Sequence, residues 1–332
     1  MGLSGGKTLK QHVAIRLALT IVLAPVASPA LGDMAEGIAL YEAGDVAAAQ
    51  SVFVEIVAAE PDNAEAIYQL GVTQMAQSEL EPAIESFELA VKLDQSNSTY
   101  HQRLGEALGS LAGNVGPLKQ IRMAGRIHDE FKRAVELNEE NIEARFGLIT
   151  YYLSAPAIAG GSSEKALAQA EAIRKLDPGQ GHIAFANVYA DNGEHEKAVV
   201  SYRAAIAAAP HEQDAYLALG IALTEQQRFD EAMQVYDDWL KITPDDMSIT
   251  YQVGRTASIA GRFLDKGRVA FESYTDGYKP GPNEPSLAWA HYRLGLIHEH
   301  LGDTEQARAA LETALQLDNK HKQAKKALRR VR

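Results

Sequence analysis

One pattern constrains this chain more than any other: a small residue, then an aromatic or leucine four positions on, often with alanine three further, returns from end to end. It reads Ala49/Phe53, Ala83/Phe87/Ala90, Ile127/Phe131/Ala134 and Ala166/Ala170, then Ala198/Tyr202/Ala205, Ala232/Tyr236, Gly267/Phe271 and Ala307/Leu311/Ala314. The spacings are 34, 44, 39, 32, 34, 35 and 40 residues. Offsets of four and three share one helix face, and small residues there let a neighbouring helix approach. Twelve residues after a leading small residue stand Pro61, Pro178, Pro210 and Pro244, each expected to stop its helix. Ahead of these helices lies another helical pattern, marked by Leu70-Gly71, Leu104-Gly105, Leu219-Gly220, Val253-Gly254 and Leu294-Gly295. Short turns such as Ala43-Gly44-Asp45 and Asn192-Gly193-Glu194 join the two, and strand signals are absent, so the fold is expected to be all-α.

These residues resemble the tetratricopeptide repeat family, whose unit of 34 residues is a helix–turn–helix. The resemblance runs from residue 34 to 321 and implies about eight units stacked as a right-handed superhelical solenoid with a continuous core and a concave face. The third and fourth units exceed the family length, the seventh has Lys266-Gly267 in place of an acid–alanine pair, and the sixth carries Trp239 where alanine is usual. Residues 322–332 read as a capping helix, with Ala324, Ala327, Leu328 and Val331 on one stripe and Lys325, Lys326, Arg329 and Arg330 in solvent. The resemblance further implies that the first helix of each unit faces a groove for protein or peptide partners. The groove candidates are Tyr68, Val72 and Met75, then Phe146, Thr150 and Leu153, then Leu217, Ile221 and Thr224. Tyr251, Arg255 and Ser258 follow, and finally Tyr292, Leu296 and Glu299. Of the Lys and Asn grip by which chaperone-docking members hold a terminal carboxylate, only Asn187 and Arg255 are scattered matches.

The chain has 332 residues, 46% hydrophobic and 23% charged, which excludes a disordered chain and a polytopic membrane protein. It has no cysteine, hence no disulfide and no thiolate metal site or nucleophile. Lys7, Lys10 and Arg16, the apolar run Leu17 to Leu31 and the small residues around Ala30 and Gly32 form a secretory signal pattern over residues 1–32. Export to the periplasm with cleavage after Gly32 is expected; an uncleaved anchor is the alternative. Gly2 to Thr8 only superficially resembles a phosphate loop, and Gly6 stands where myristoylation needs Ser or Thr. Residues 33–319 carry 22 Lys and Arg against 44 Asp and Glu, whereas residues 320–332 carry seven Lys and Arg and no acid. So acidic a body argues against nucleic-acid partners, and the tail is expected to make at most weak contact with an anionic membrane.

Sites for chemistry are few. His291, His298 and His300 cluster in sequence around Glu299 but read as packing residues rather than metal ligands. Ser162-Ser163 reads as a loop and helix cap, and Asp237-Asp238 and Asp245-Asp246 as exposed or helix-start acids. No catalytic, metal or cofactor site is expected, and the chain reads as a non-enzymatic scaffold or adaptor. The alternatives are a membrane-peripheral assembly factor and an accessory subunit of an enzyme complex. Two irregularities mark a candidate partner site: the breaker-rich Ala112 to Pro117 with a long helix after it, and the lengthened turn Ser154 to Ser163. From Ala107 to His128 there is no acid, and Lys119, Arg122 and Arg126 form a basic stripe suited to an acidic partner. Asp129 and Glu130 are the expected partners of Arg126.

Overall fold

The computed structural model describes residues 33–278 and 285–331; the expected leader, residues 1–32, lies outside them. Among the described residues there are seventeen α-helices and no strand. The first two units are α1 (Met34–Glu42) with α2 (Val46–Ala59) and α3 (Ala64–Ala76) with α4 (Leu80–Leu93). Then come α5 (Ser98–Gly113) with α6 (Pro117–Leu137) and α7 (Ile142–Ser154) with α8 (Ser163–Leu176). The fifth and sixth are α9 (Pro178–Asp191) with α10 (His195–Ala208) and α11 (Gln213–Glu225) with α12 (Phe229–Leu240). The last two are α13 (Met247–Ala260) with α14 (Leu264–Gly277) and α15 (Leu287–Leu301) with α16 (Thr304–Leu317). The helix α17 (Lys322–Arg330) closes the stack. Successive first helices lie close backbone to backbone along the array, whereas second helices reach one another only through long side chains such as Arg203 and Glu231. The first helices are therefore the inner, compressed layer of a superhelix, and the concave face belongs to them.

The repeated small-plus-aromatic spacing has a steric cause. In the first, second, third, sixth and seventh pairs the aromatic of the second helix lies over a glycine of the first, and in the eighth Leu311 lies over Gly295, so that the two backbones can close up. A Cβ added at Gly71 would lie 2.7 Å from the Phe87 ring, and one at Gly254 2.6 Å from that of Phe271. Gly220 sits closest of all, against the Tyr236 ring. Phe53, Phe87, Tyr236 and Phe271 are fully buried, as are the alanines at 49, 83, 134, 166, 170 and 232. Helix starts are fixed by short polar side chains that accept from the free N–H groups of the first turn. Asn63 Oδ1 accepts from Ala66 N at 3.0 Å and Asn141 Oδ1 from Ala144 N at 2.8 Å.

The irregular spacings are now explained. In the third unit α5 has 16 residues and α6 has 21, against 13 and 14 in α3 and α4. In the fourth, a 3-10 turn at Ala157–Ala159 lengthens the link, and it is well knit: Ser162 N donates to Tyr152 O at 2.9 Å and the Tyr151 hydroxyl donates to Ala159 O. Gly160, at φ +96°, occupies the left-handed region that glycine tolerates best. Ser162 caps α8, as its sequence position implies. The short spacing of 32 arises because Asp177 alone joins α8 to α9. Pro178 corrects an expectation here: besides ending one helix it is the first residue of the next, where its missing N–H costs nothing. In the seventh unit Gly267 replaces alanine because an added Cβ would meet Ile297 Cδ1 at 2.9 Å and also strike Ala257.

Burial pushes the phenols of Tyr202 and Tyr236 up to about 12. The neutral phenol is the native form, while the unfolded chain ionises near 10.0. Above that pH the unfolded state holds fewer protons than the native state, so stability falls as pH rises. Their contribution is present in full below pH 10 and is lost as pH rises through about 12. Urea unfolding between pH 9 and about 11.5 is expected to show a falling midpoint, weaker in Tyr202→Phe.

Candidate partner-binding groove

On the inner layer Tyr68, Val72 and Met75 of α3, Phe146 and Leu153 of α7, and Leu217 and Ile221 of α11 are half-buried, and Thr150 is exposed. Tyr68, Val72, Met75, Phe146, Leu153 and Leu217 each pack part of their surface against the core clusters. Arg255 is also half-buried, its guanidinium 3.4 Å from Gln252 Oε1. Asn187 accepts from the Tyr202 hydroxyl at 2.7 Å, so it is engaged inside its own unit rather than paired with Arg255.

Three other positions are core rather than groove. Tyr251 is 5% exposed, its ring 5.5 Å from Phe271 and 5.2 Å from Tyr274. Thr224 is buried with its hydroxyl 2.8 Å from that of Thr256, and Ser258 donates back to Arg255 O. The cause is the close packing of α13 against α11 and α15, which closes the space these side chains would otherwise line.

Tyr292, Leu296 and Glu299 are half-buried like the other groove candidates, and α17, in the place of a ninth first helix, covers part of their surface. Tyr292 and Leu296 pack against the cluster of Leu311, Ala324 and Leu328. His321, whose ring lies 4.4 Å from Trp289 and 5.0 Å from Tyr292, opens the cap. Arg330 grips Glu299 with two hydrogen bonds of 2.8 and 2.7 Å and holds its carboxyl below the ordinary range. Ala324, Ala327, Leu328 and Val331 are buried as expected, while Lys322, Lys325, Lys326 and Arg329 are exposed.

The histidines are separated by role. His298 is buried with Nδ1 3.7 Å from Asp303, and His300 is exposed. His291 is half-buried, and desolvation lowers its pKa. Among the described residues no three His, Asp or Glu side chains gather where a metal ion would be held.

The basic stripe on α6 is only partly free. Lys119 and Arg122 are exposed, but Arg126 pairs with Glu88 of α4 at 2.6 Å and lies 3.9 Å from Glu130. Asp129, expected beside Arg126, faces His128 instead at 3.1 Å. Residues 119, 122 and 126 occupy one side of α6; its other side, at Pro117, Gln120, Ile121, Ala124 and Ile127, floors a cavity of about 890 Å³. The walls of this slot are α5 and α7. Sequence reasoning placed a site in these units but missed the slot. The available signal was glycine at 105, 109 and 113, one helix face at intervals of four residues.

A family model described as tetratricopeptide repeat matches residues 34–98 and 183–246, and a second of the same description matches residues 288–321. The chain belongs to the tetratricopeptide repeat family. Among solved structures, a tetratricopeptide repeat protein from Parabacteroides merdae superposes with TM-score 0.51 and 14% identity, over 90% of this chain and 96% of that one. The APC/C hetero-tetramer Cut9-Hcn1 gives TM-score 0.51 and 12% identity, over 86% of this chain and 52% of that one. A thermophilic TPR protein of Thermus thermophilus, TTC0263, is 23% identical over 56% of this chain and 95% of its own, with TM-score 0.49. The first two of these likenesses show the fold alone. None of the curated proteins compared with the sequence matches it.

Proposed function

We propose that this tetratricopeptide repeat chain is a non-enzymatic scaffold that holds protein partners on its concave face in the cell envelope. Tetratricopeptide arrays generally mediate protein–protein contacts. The observation that carries the reading here is the inner layer of first helices, with half-buried Tyr68, Val72, Met75, Leu217 and Ile221 on it. Half-buried aromatics and aliphatics are rigid enough to bind without a large ordering cost. Exposed Lys119 and Arg122 on an otherwise acidic body would speed association with an acidic partner. Export rests on the basic start and apolar run of residues 1–32.

A photo-crosslinking residue placed at Ile221 tests the reading, with Val200 of the outer layer, 65% exposed, as the control position. In cells of the native host, discrete adducts are expected from Ile221 and not from Val200. Equal adducts from both positions, or none from Ile221, would reject the concave face as the docking surface.

A further inference from the structure

We propose that α17 is a proton-operated cap: neutral His321 holds it over the last unit, and protonated His321 loosens it and uncovers Tyr292 and Leu296. This regulation goes beyond the scaffold reading and does not depend on a partner being bound.

The imidazole is built into the cap in a way that leaves no place for a second proton. Its Nδ1 accepts from Ala324 N at 3.3 Å, so the ring is the N-cap of α17 and that nitrogen is bare. The hydrogen of the neutral ring therefore sits on Nε2, which is buried without a hydrogen-bond partner. The residue is 3% exposed, its ring 4.4 Å from that of Trp289 and 5.0 Å from that of Tyr292. A proton arriving at Nδ1 turns the acceptor into a donor that faces the Ala324 N–H. It also leaves a cation in a site that water barely reaches.

The surrounding charges divide for and against that cation. A positive ring at the start of a helix opposes the helix dipole, and α17 already carries five Lys and Arg and no acid. Arg293 of α15, whose guanidinium lies 5.9 Å from the Trp289 ring, adds repulsion. Asp318, just before the cap, and Gln323 on it favour the charged ring. Burial outweighs them and holds the pKa of His321 below its ordinary 6.5. The other ionisable groups at this end are engaged elsewhere: Glu299 with Arg330, Arg308 with Val331 O, and Asp303 3.7 Å from His298. His291 and His298 are the further histidines of α15 that are not exposed.

The sign follows from linkage. Docked, the ring stays neutral; loose, it takes up a proton at about pH 6.5. Docking is therefore full above pH 6.5 and weakens as pH falls from there toward the lower pKa of the docked ring. The cap is small enough to respond. It has nine residues, too few to hold a helix alone, and it buries only Ala324, Ala327, Leu328 and Val331. The tie from Arg330 to Glu299 persists in mild acid, because it keeps that carboxyl below the ordinary range. His321 is thus the part of the cap that answers to pH. Tyr292 and Leu296 pack beneath α17, so its loosening exposes them.

Hydrogen exchange over residues 322–330 of the full chain, corrected for the intrinsic effect of pH on amides, measures the cap. Protection is expected to fall about five- to tenfold between pH 7.5 and 5.0. Hydroxyl-radical oxidation of Tyr292 and Leu296 should rise with it. His321→Asn keeps a capping side chain that cannot be charged, so its protection should be lower but equal at both pH values. NMR titration of the His321 ring, assigned by its loss in that variant, should give an apparent pKa below 6.5. The ring titration decides even where the variant loses its cap altogether. Protection in the wild type that does not change with pH overturns the proposal, as does a ring that titrates at or above 6.5. A fall of the same size in His321→Asn also overturns it and moves the switch to His291 or His298.

Discussion

Alanine at Gly220 is expected to lower local stability by about 1–3 kcal/mol, the ordinary cost of forcing a methyl into a filled core. The Tyr236 ring lies against the position a Cβ would take, and Tyr236 itself is fully buried, so neither side can yield without moving α11 away from α12. Gly109→Ala on α5 is the counterpart: its new methyl enters open space, and helix propensity then favours alanine by about 0.5–1 kcal/mol. The same substitution should thus carry opposite signs at two helix positions. Tyr236→Ala alone should cost about 3–5 kcal/mol through the void it leaves. The double variant should cost less than the sum, with a coupling of about 0.5–3 kcal/mol, since the added methyl enters that void. A repeat array unfolds in neighbouring sections, so hydrogen exchange over residues 213–240 is a better measure than a global melt. Additive losses across the cycle would show that the ring and the glycine do not determine each other.

This contact explains why so much of the fold is legible in the sequence. The ring of one helix and the glycine of its partner recur because one steric problem, closing two helices at short distance, is solved in the same way in five of the units. Spacing alone reveals it, and the cap is legible for the same reason, since Ala324, Ala327, Leu328 and Val331 repeat the apolar stripe of a first helix. What is not legible depends on contacts between units. Glu88 stands 38 positions before Arg126 in the chain, so the ion pair that neutralises one end of the basic stripe carries no local signal. Tyr68 and Tyr251 occupy the same place in their repeats, yet one is half-buried on the groove and the other is in the core. The difference lies in how tightly α13 is held by its neighbours, which no residue on α13 announces. The slot is a third case. The stretch from Ala112 to Pro117 reads as a break, whereas α5 continues through Gly113 and α6 begins at Pro117. Its glycines at 109 and 113 look like turn residues until the open space beside them is seen.

Asp246→Ala is expected to cost about 2–4 kcal/mol, although the residue reads as one of two adjacent turn acids. One carboxylate oxygen accepts from Ile249 N at 2.9 Å and caps α13. The other accepts from the Trp239 indole N–H and from the Gln213 amide, both at 2.6 Å. Trp239 is 5% exposed, so removing the acceptor strands a donor that water reaches poorly. Loss of the cap contributes about 1 kcal/mol and the stranded indole about 1–3 kcal/mol. This also accounts for the departure at position 239, where the family favours alanine: the indole bridges the sixth unit to the start of the seventh through a single acid. Asp246→Asn should fall between, because an amide oxygen can serve the cap or the indole but its nitrogen can accept from neither. The chain has two tryptophans, so a Trp289→Phe background isolates the signal of Trp239. In that background the emission of Trp239 should move to longer wavelength in Asp246→Ala before the rest of the array unfolds. An unchanged spectrum, together with an unchanged urea midpoint for that emission, would mean that the carboxylate does not join the two units.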